Sequence, residues 1–202
     1  MTKLLITLFS CLLISVLSFS QVNYNNKPTA VVKIDPALLA LWTLSTKYEY
    51  ILNDNFSLQI GGTITNQNVT YWGGLGGRVF GYSTDLQLRY FINPDQRVGE
   101  RLAPLGFYTG VWGQYETFSA NITIGGDTGE LLSGGAIKTG VILGYQFWLK
   151  IRGKKIMLID PFLGGGYKFA DYSGKFTEKG RLIAFTRKGI TGRIGVSVGI
   201  GI

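Results

Sequence analysis

Eleven charged side chains stand at alternate positions inside segments whose other residues are mostly apolar. In chain order they are Lys33, Asp35, Lys47, Glu49, Asp85, Arg89, Glu116, Lys138, Asp160, Lys168 and Arg193. Successive side chains of a β-strand point to opposite faces, so this spacing predicts that all eleven share one side of a sheet. If the sheet closes into a barrel, these charges face its lumen. Two kinds of chemistry would follow: a network of ion pairs that fills the lumen, or a gated path for ions.

The balance of the charges favours the first of these. The lumen of an eight-stranded barrel is just wide enough for side chains to fill it. An unpaired buried ion is costly, and the six basic and five acidic residues nearly balance. We therefore expect a polar plug of paired charges rather than a narrow channel. Small residues at inward positions leave room for these long side chains: Gly140, Gly144, Gly166, Gly195 and Gly199.

Signs of catalysis are missing from the sequence. The chain has no histidine, which excludes histidine-ligated zinc and Ser-His-Asp triads. The glycine-rich stretches Gly73–Gly77 and Gly164–Gly166 lack a following Lys-Ser/Thr, so they do not match a phosphate-binding loop. A pair of carboxylates could act as acid and base, but no two acidic residues share a distinctive local motif. The sequence predicts no enzyme activity, no metal and no cofactor.

Eight segments from Ala30 onward alternate apolar and polar residues. Their bounds are Ala30–Leu41, Leu44–Leu52, Phe56–Thr65, Ser83–Ile92, Leu105–Phe118, Ala136–Leu149, Ile156–Phe169 and Ile190–Ile202. Short connections without βαβ spacing are typical of an antiparallel meander, and the number of strands is even. The sequence thus predicts an all-β domain over residues 30–202, an eight-stranded antiparallel up-and-down transmembrane β-barrel. The fifth segment fits least well, because Tyr108 and Trp112 fall on its polar side.

The last segment shows the alternation most clearly, with Ile194, Val196 and Val198 on one face and Arg193 on the other. In a periplasmic lipocalin-like barrel the apolar face would line the interior and bind a ligand. In an outer-membrane barrel the same face contacts lipid. Aromatic residues near the segment ends favour the membrane, where they form girdles at the interfaces. They are Phe56, Tyr90, Phe107, Tyr115, Tyr145, Phe147, Tyr167 and Phe169.

The N-terminal twenty residues resemble a secretory signal peptide. Lys3 supplies the positive charge, an apolar run follows, and small residues near Ser20 predict cleavage before Gln21. The only cysteine, Cys11, lies inside this run, so the mature chain has no disulfide and lipidation is not expected. Residues 21–29 would then form a short periplasmic segment before the barrel in the outer membrane.

Loops at one end of the predicted barrel form its expected contact surface, with a structural or surface-interaction role. Given a periplasmic N-terminus, the outer loops are 42–43, 66–82, 119–135 and 170–189, and the periplasmic turns are 53–55, 93–104 and 150–155. In the last loop, Lys175, Lys179 and Arg181 are candidates for binding lipopolysaccharide phosphates or acidic glycans. The formal charge of +8 is scattered, so we expect attraction to outer-membrane lipid and no nucleic-acid partner. The pattern leaves the oligomeric state open.

Several short motifs follow one another over residues 30–170. They include Val32-Lys33-Ile34-Asp35-Pro36, Lys47-Tyr48-Glu49-Tyr50, Leu86-Gln87-Leu88-Arg89-Tyr90-Phe91 and Phe162-Leu163-Gly164-Gly165-Gly166-Tyr167. In order and spacing the chain resembles DUF3575, an uncharacterised family of outer-membrane barrels from Bacteroidetes-type bacteria. The resemblance implies an OmpA-like eight-stranded barrel in the outer membrane with no assigned activity.

Overall fold

A computed structural model describes residues 30–71, 75–92, 105–124, 127–151, 154–173 and 188–201. Within those ranges, eight strands and one short helix follow one another: β1 (Ala30–Ile34), α1 (Pro36–Leu39), β2 (Thr43–Ile51), β3 (Phe56–Tyr71), β4 (Leu75–Phe91), β5 (Gly106–Ile124), β6 (Asp127–Ile151), β7 (Lys154–Ser173) and β8 (Gly189–Gly201). Each strand pairs antiparallel with the next, and β8 pairs with β1 to close the barrel. The predicted eight-stranded antiparallel up-and-down barrel is confirmed.

The strands are staggered around the barrel, so they tilt relative to its axis. If each residue is followed to the residue directly opposite it on the next strand, the path that starts at Lys33 of β1 ends at Gly189 of β8. Lys33 itself pairs with Gly199, so the register climbs by ten residues (199 − 189) in one circuit. A closed barrel requires such a stagger together with a tilt of about 35–45°. The stagger brings residues of distant strands to the same height in the lumen.

Strand lengths differ between the two sides of the barrel. Strands β3 to β7 have 16, 17, 19, 25 and 20 residues, whereas β1, β2 and β8 have 5, 9 and 13. We call the end with the β3–β4 and β5–β6 hairpins the upper end, and the end where β2 joins β3 the lower end. The long strands therefore project above the short side, where α1 packs against β2 and β8.

The first predicted strand, Ala30–Leu41, is wrong beyond residue 34. The chain leaves the sheet after β1 and forms α1 instead. Pro36 gives the reason, because it has no N–H for a ladder and its fixed φ suits the first turn of a helix. The backbone N–H of Asp35 still donates to the Ser45 carbonyl oxygen, at 3.3 Å. In the described part of the chain, no helix is long and apolar enough to cross a membrane.

Two predicted outer loops, residues 66–82 and 119–135, are wrong because most of both is strand. The β3–β4 ladder continues to the pair Tyr71 and Leu75, and β5 and β6 pair up to residues 124 and 127. The predicted strands therefore end too early at the upper end. The contact surface expected of these two loops becomes a set of paired strands with short hairpin tips.

Glycine was the misleading signal in this region. Gly81 lies within the predicted loop 66–82, but it is opposite Thr65 of β3 in the ladder. A Cβ at this position would meet the carbonyl oxygen of Thr117 at 2.8 Å. The missing side chain therefore allows two strands to approach closely, which is a frequent use of glycine in a sheet.

Some predictions concern residues outside the described ranges. These are the signal peptide over residues 1–20, the segment 21–29, the connection 93–104, and the loop candidates Lys175, Lys179 and Arg181.

The two faces of the strands differ as the alternation predicts. Ile194 is 82% exposed on the outside, whereas Arg89 and Asp160 are fully buried inside. Tyr108 and Trp112, the misfits of the fifth segment, also point inward and are buried. They pack with three other apolar side chains into a cluster within the lumen: Phe91, Ile142 and Phe162.

Candidate functional site

All eleven predicted lumen charges take part in ion pairs inside the barrel. Their exposure increases from the lower to the upper end. Four side chains near the lower end, Lys33, Glu49, Arg89 and Asp160, are 0% exposed, and we call them the buried tetrad. Six basic and five acidic residues leave a net charge of +1 on the whole set.

The buried tetrad brings four different strands together at one height. The Lys33 ammonium lies 2.6 Å from Oε2 of Glu49 and 2.6 Å from Oδ2 of Asp160. The Arg89 guanidinium lies 2.7 Å from Asp160 and 3.6 Å from Glu49. Two cations thus alternate with two carboxylates, so the tetrad is neutral. Such an arrangement compensates for the loss of solvation that would make any single one of these charges costly.

Neutral polar side chains complete the hydrogen bonding of the tetrad. The Tyr108 hydroxyl donates to Oδ1 of Asp160 at 2.7 Å, and the Lys33 ammonium donates to Oε1 of Gln146 at 2.8 Å. The Ser57 hydroxyl donates to Oε1 of Glu49. The role of Tyr108 was missed at the level of the sequence. Its place on the polar side of β5 was the signal that could have indicated it.

A second ion pair lies above the tetrad on the short side of the barrel. The Lys47 ammonium is 2.7 Å from Oδ2 of Asp35, and it also donates to the Ser197 hydroxyl at 2.8 Å. The Ser197 and Ser45 hydroxyls donate to the same carboxylate. Asp35 holds this position although it lies between β1 and α1 rather than in a strand. The pair connects β2 and β8 across the short strand β1.

A hydrogen-bonded chain along β4 links the tetrad to the third ion pair. Arg89 donates to the Gln87 side-chain oxygen at 2.9 Å, and the Gln87 amide donates to Asp85 at 2.8 Å. Asp85 in turn accepts from Arg193 at 3.2 Å. Inward residues of one strand are two positions apart, which lets neighbouring side chains of β4 contact one another.

The upper end of the lumen holds one carboxylate between two ammonium groups. Glu116 Oε2 lies 2.6 Å from Lys138, and its Oε1 lies 3.1 Å from Lys168. These side chains are 12–20% exposed, so solvent reaches them. Lys138 and Lys168 stand directly opposite each other on β6 and β7. Glu116 therefore offsets the repulsion expected of like charges in that position.

Aromatic rings fill the space between the ion pairs. Arg89 lies over the Tyr108 ring at 4.5 Å, and Lys47 lies over the Phe162 ring at 4.6 Å. The Arg193 guanidinium lies 5.4 Å from the Trp112 ring and 5.5 Å from that of Phe162. These distances are within the range of cation–π attraction. The lumen is thus packed by alternating cations and rings.

Three side chains of the described lumen carry buried polar groups without a hydrogen-bond or ion-pair partner among the protein atoms. The groups are the side-chain amide of Gln59, the indole N–H of Trp148 and the Nη1 atom of Arg193. Gln59 lies opposite both Glu49 and Gln87 in the ladders. Buried polar groups usually bond to protein or to ordered water. Within the described ranges, no group of three or more His, Cys, Asp or Glu residues could hold a metal ion.

Comparison with known proteins finds no relative: no family model matches the chain, and no curated protein or solved structure matches it significantly. The resemblance to DUF3575 stays a prediction. The fold and the lumen by themselves define the class: a small closed β-barrel with an interior of paired charges and aromatic rings.

Proposed function

We propose that the protein is a small outer-membrane β-barrel whose lumen is closed by a polar plug and whose role is structural or surface interaction, without catalysis. One observation carries the proposal. Among the described residues, the barrel has eleven paired charges inside and most of its large apolar side chains exposed on the outside, which is the reverse of a water-soluble barrel. Such an exterior is favourable in contact with the acyl chains of a lipid bilayer.

The exterior of the barrel is an apolar band. Ile60, Leu86, Val111, Val141 and Leu163 point outward and are all more than half exposed. Soluble monomers rarely expose a contiguous apolar patch of more than a few hundred Å². Among the described side chains, no outward-facing residue of the strands between the aromatic belts is charged. An apolar band around the whole barrel supports acyl chains as its surroundings.

Aromatic residues bound this band above and below. At the lower end Phe56 and Tyr90 have ring centroids 5.1 Å apart, and Phe107 and Tyr145 are 4.7 Å apart. The upper belt includes Tyr115 on β5, Tyr82 on β4, and the pair Tyr167 and Phe169 on β7, whose centroids are 4.8 Å apart. Aromatic girdles of this kind flank the lipid-facing band of outer-membrane barrels.

The height of the band fits a bilayer. Phe107 and Tyr115 belong to opposite belts and are eight residues apart on β5. At a rise of about 3.3 Å per residue and a tilt of about 40°, their Cα atoms differ in height by about 20 Å. The rings extend this towards the roughly 25 Å of an outer-membrane apolar band.

The rival interpretation, a lipocalin-like barrel that binds a ligand inside, requires the aliphatic faces to line the interior. In this chain they lie outside: Ile190 is 95% exposed and Ile194 82%. Export to the outer membrane is also supported by the predicted signal peptide over residues 1–20 and by the resemblance to DUF3575. On this proposal the first partner of the protein is outer-membrane lipid.

The same geometry supports a plug rather than a channel. The buried tetrad crosses the lumen at one height with no exposed side chain. We expect purified protein in planar bilayers to show no stable single-channel steps. Reproducible unitary conductance would favour the alternative, a narrow porin-like channel.

Cell fractionation combined with gel mobility tests the membrane assignment. The full chain is expressed in a Gram-negative host, and the fractions are run on SDS gels before and after boiling. We expect the protein in the outer-membrane pellet, with a faster-migrating form that disappears on boiling. Release into the soluble fraction by osmotic shock would contradict the proposal.

A further inference from the structure

The turn between α1 and β2 carries two large apolar side chains in an unusual setting. Leu41 is 55% exposed and Trp42 is 59% exposed. Trp42 also has a φ of 54°, the left-handed region that large side chains rarely adopt. At this place after a helix, glycine is the residue that most often takes up such a conformation. A tryptophan at this position is therefore unusual.

The backbone of this turn is firmly held. The Trp42 N–H donates to the Leu39 carbonyl oxygen at 3.1 Å, and its own carbonyl oxygen accepts from the Asn66 N–H at 3.2 Å. The Leu41 carbonyl oxygen accepts from the Gln67 side-chain amide at 2.6 Å. The turn formed by Leu41 and Trp42 is thus hydrogen-bonded to β3. The strained conformation persists because these bonds determine it, and strain of this kind often marks a functional position.

The register places Trp42 at the height of the upper aromatic belt. Trp42 bonds to Asn66 of β3, and the residues opposite Asn66 on β4 and β5 are in turn Phe80 and Ser119. The register climbs ten residues in eight strands, which is just over one residue per strand. Corrected for that climb, Trp42 is level with Tyr82 on β4, Tyr115 on β5 and Tyr167 on β7.

The short side of the barrel would otherwise leave a gap in this belt. Outward positions near the upper ends of β1, β2 and β8 are aliphatic or small: Ile34, Leu44, Ile190 and Gly192. Among the described residues of this sector, Trp42 is the aromatic side chain at that height. Its surface continues the apolar band through Leu44 and its ladder partner Ile64, both exposed.

We propose that the turn formed by Leu41 and Trp42 is a lipid-interface anchor: Trp42 lies at headgroup level in the upper leaflet and completes the aromatic belt where the strands are short. An indole suits that level because it has an apolar ring and an N–H that can stay hydrated. The inference rests on the proposed membrane location. It adds that the short rim lies at the interface while the long hairpins of β3–β6 project beyond it.

Depth-dependent fluorescence quenching tests the anchor in the full chain. A Trp72→Phe, Trp112→Phe, Trp148→Phe variant leaves Trp42 as the sole tryptophan and is reconstituted in vesicles of brominated phosphatidylcholine. We expect strong quenching when the bromines lie on shallow acyl carbons and weaker quenching when they lie deep. The matched control retains the buried lumen residue Trp112 and replaces Trp42, Trp72 and Trp148. It should be quenched several-fold less at every depth.

The gel mobility of each vesicle sample before and after boiling shows whether the barrel has inserted. It therefore distinguishes a failure of the membrane assignment from a failure of the anchor. If the protein does not insert at all, the membrane assignment itself fails. If it inserts and Trp42 is no more quenched than Trp112, the anchor is overturned while the barrel assignment stands.

Substitution of Trp42 distinguishes an anchor from a merely structural turn. Trp42→Gly relieves the left-handed backbone, so a structural role predicts an unchanged or higher urea midpoint in vesicles. The anchor predicts a lower midpoint, restored most of the way by Trp42→Tyr, which retains an interfacial ring. A Trp42→Gly variant as stable as the native chain in vesicles would contradict the proposal.

Discussion

Lys33 of β1 and Asp160 of β7 lie in contact across β8, with 2.6 Å between the ammonium nitrogen and the carboxylate oxygen Oδ2. They are 127 residues apart in the sequence. Their ion pair bridges the inside of the seam at which β1 and β8 close the barrel. Because β1 has only five residues, its backbone ladders are short, and the side-chain contacts add to the closure.

Removal of the Asp160 charge should therefore destabilise the barrel strongly. Asp160→Asn leaves Lys33 and Arg89 with Glu49 as their one carboxylate in the tetrad, and an uncompensated buried charge costs about 3–5 kcal/mol. The free energy of unfolding is measured by urea titration in detergent micelles. Glu116→Gln is the matched control at the solvent-accessible upper end, because its carboxylate is 20% exposed; it leaves Lys138 and Lys168 opposite each other but should lose clearly less than Asp160→Asn, since water can solvate these lysines. Equal losses in the two variants would show that burial does not decide the effect.

Loss of the Tyr108 hydroxyl should also weaken the lumen. Tyr108→Phe keeps the ring against Arg89 but removes the donor to Asp160, and a hydrogen bond to a charged group contributes about 1.5–3 kcal/mol. Tyr145→Phe, on the outward face and 41% exposed, makes the same chemical change outside the lumen. We expect a clear drop in the urea midpoint for the first variant and little change for the second. A larger effect at Tyr145 would contradict the lumen assignment of Tyr108.

A charge placed on the apolar band tests the proposed contact of this band with lipid. Val111 lies midway between Phe107 and Tyr115 on β5 and is 56% exposed. In a bilayer, Val111→Arg should cost about 2–4 kcal/mol of unfolding free energy in vesicles, as expected near the midplane. Ser133→Arg, exposed on β6 above the belt, should change it little. If both substitutions were neutral, the band would face water instead.

Substitution of glycine by alanine should cost more stability at a crowded lumen position than at an open position on the exterior. At Gly140 a Cβ would meet the carbonyl oxygen of Gly165 at 2.1 Å, so backbone must move, whereas at Gly113 nothing lies within 4 Å. Gly140→Ala should lower the free energy of unfolding by about 1–3 kcal/mol, the usual effect of overpacking. Gly113→Ala should be nearly neutral. The comparison uses folded yield and urea midpoint, and similar values for the two variants would argue against the close approach of β6 and β7.

Much of the fold could be predicted from the sequence because a strand repeats every two residues. The opposite faces of Ile194 and Arg193 and the inward direction of the ten charges that lie in strands follow from that period, and the eight alternating segments give the number of strands. Strand ends were less predictable. Pro36 ended β1 early, and Gly81 suggested a loop where two strands approach closely, because glycine serves both loops and tightly paired strands.

The partners of each charge could not be predicted. Lys33 contacts Glu49 and Asp160, and Arg193 contacts Asp85, but the sequence offers several carboxylates to each cation. Nor did the pattern indicate that Tyr108 completes the tetrad or that Trp42 adopts a left-handed backbone.

The sequence by itself determined which side chains face inward and which face outward, because alternation is a local property of an extended chain. Only the tertiary structure decided which of them meet. The stagger of ten residues around the barrel sets the height of every side chain, and that stagger belongs to the closed sheet as a whole. It brings Lys33 level with Asp160, and Trp42 level with Tyr115, although nothing in their local sequence relates them.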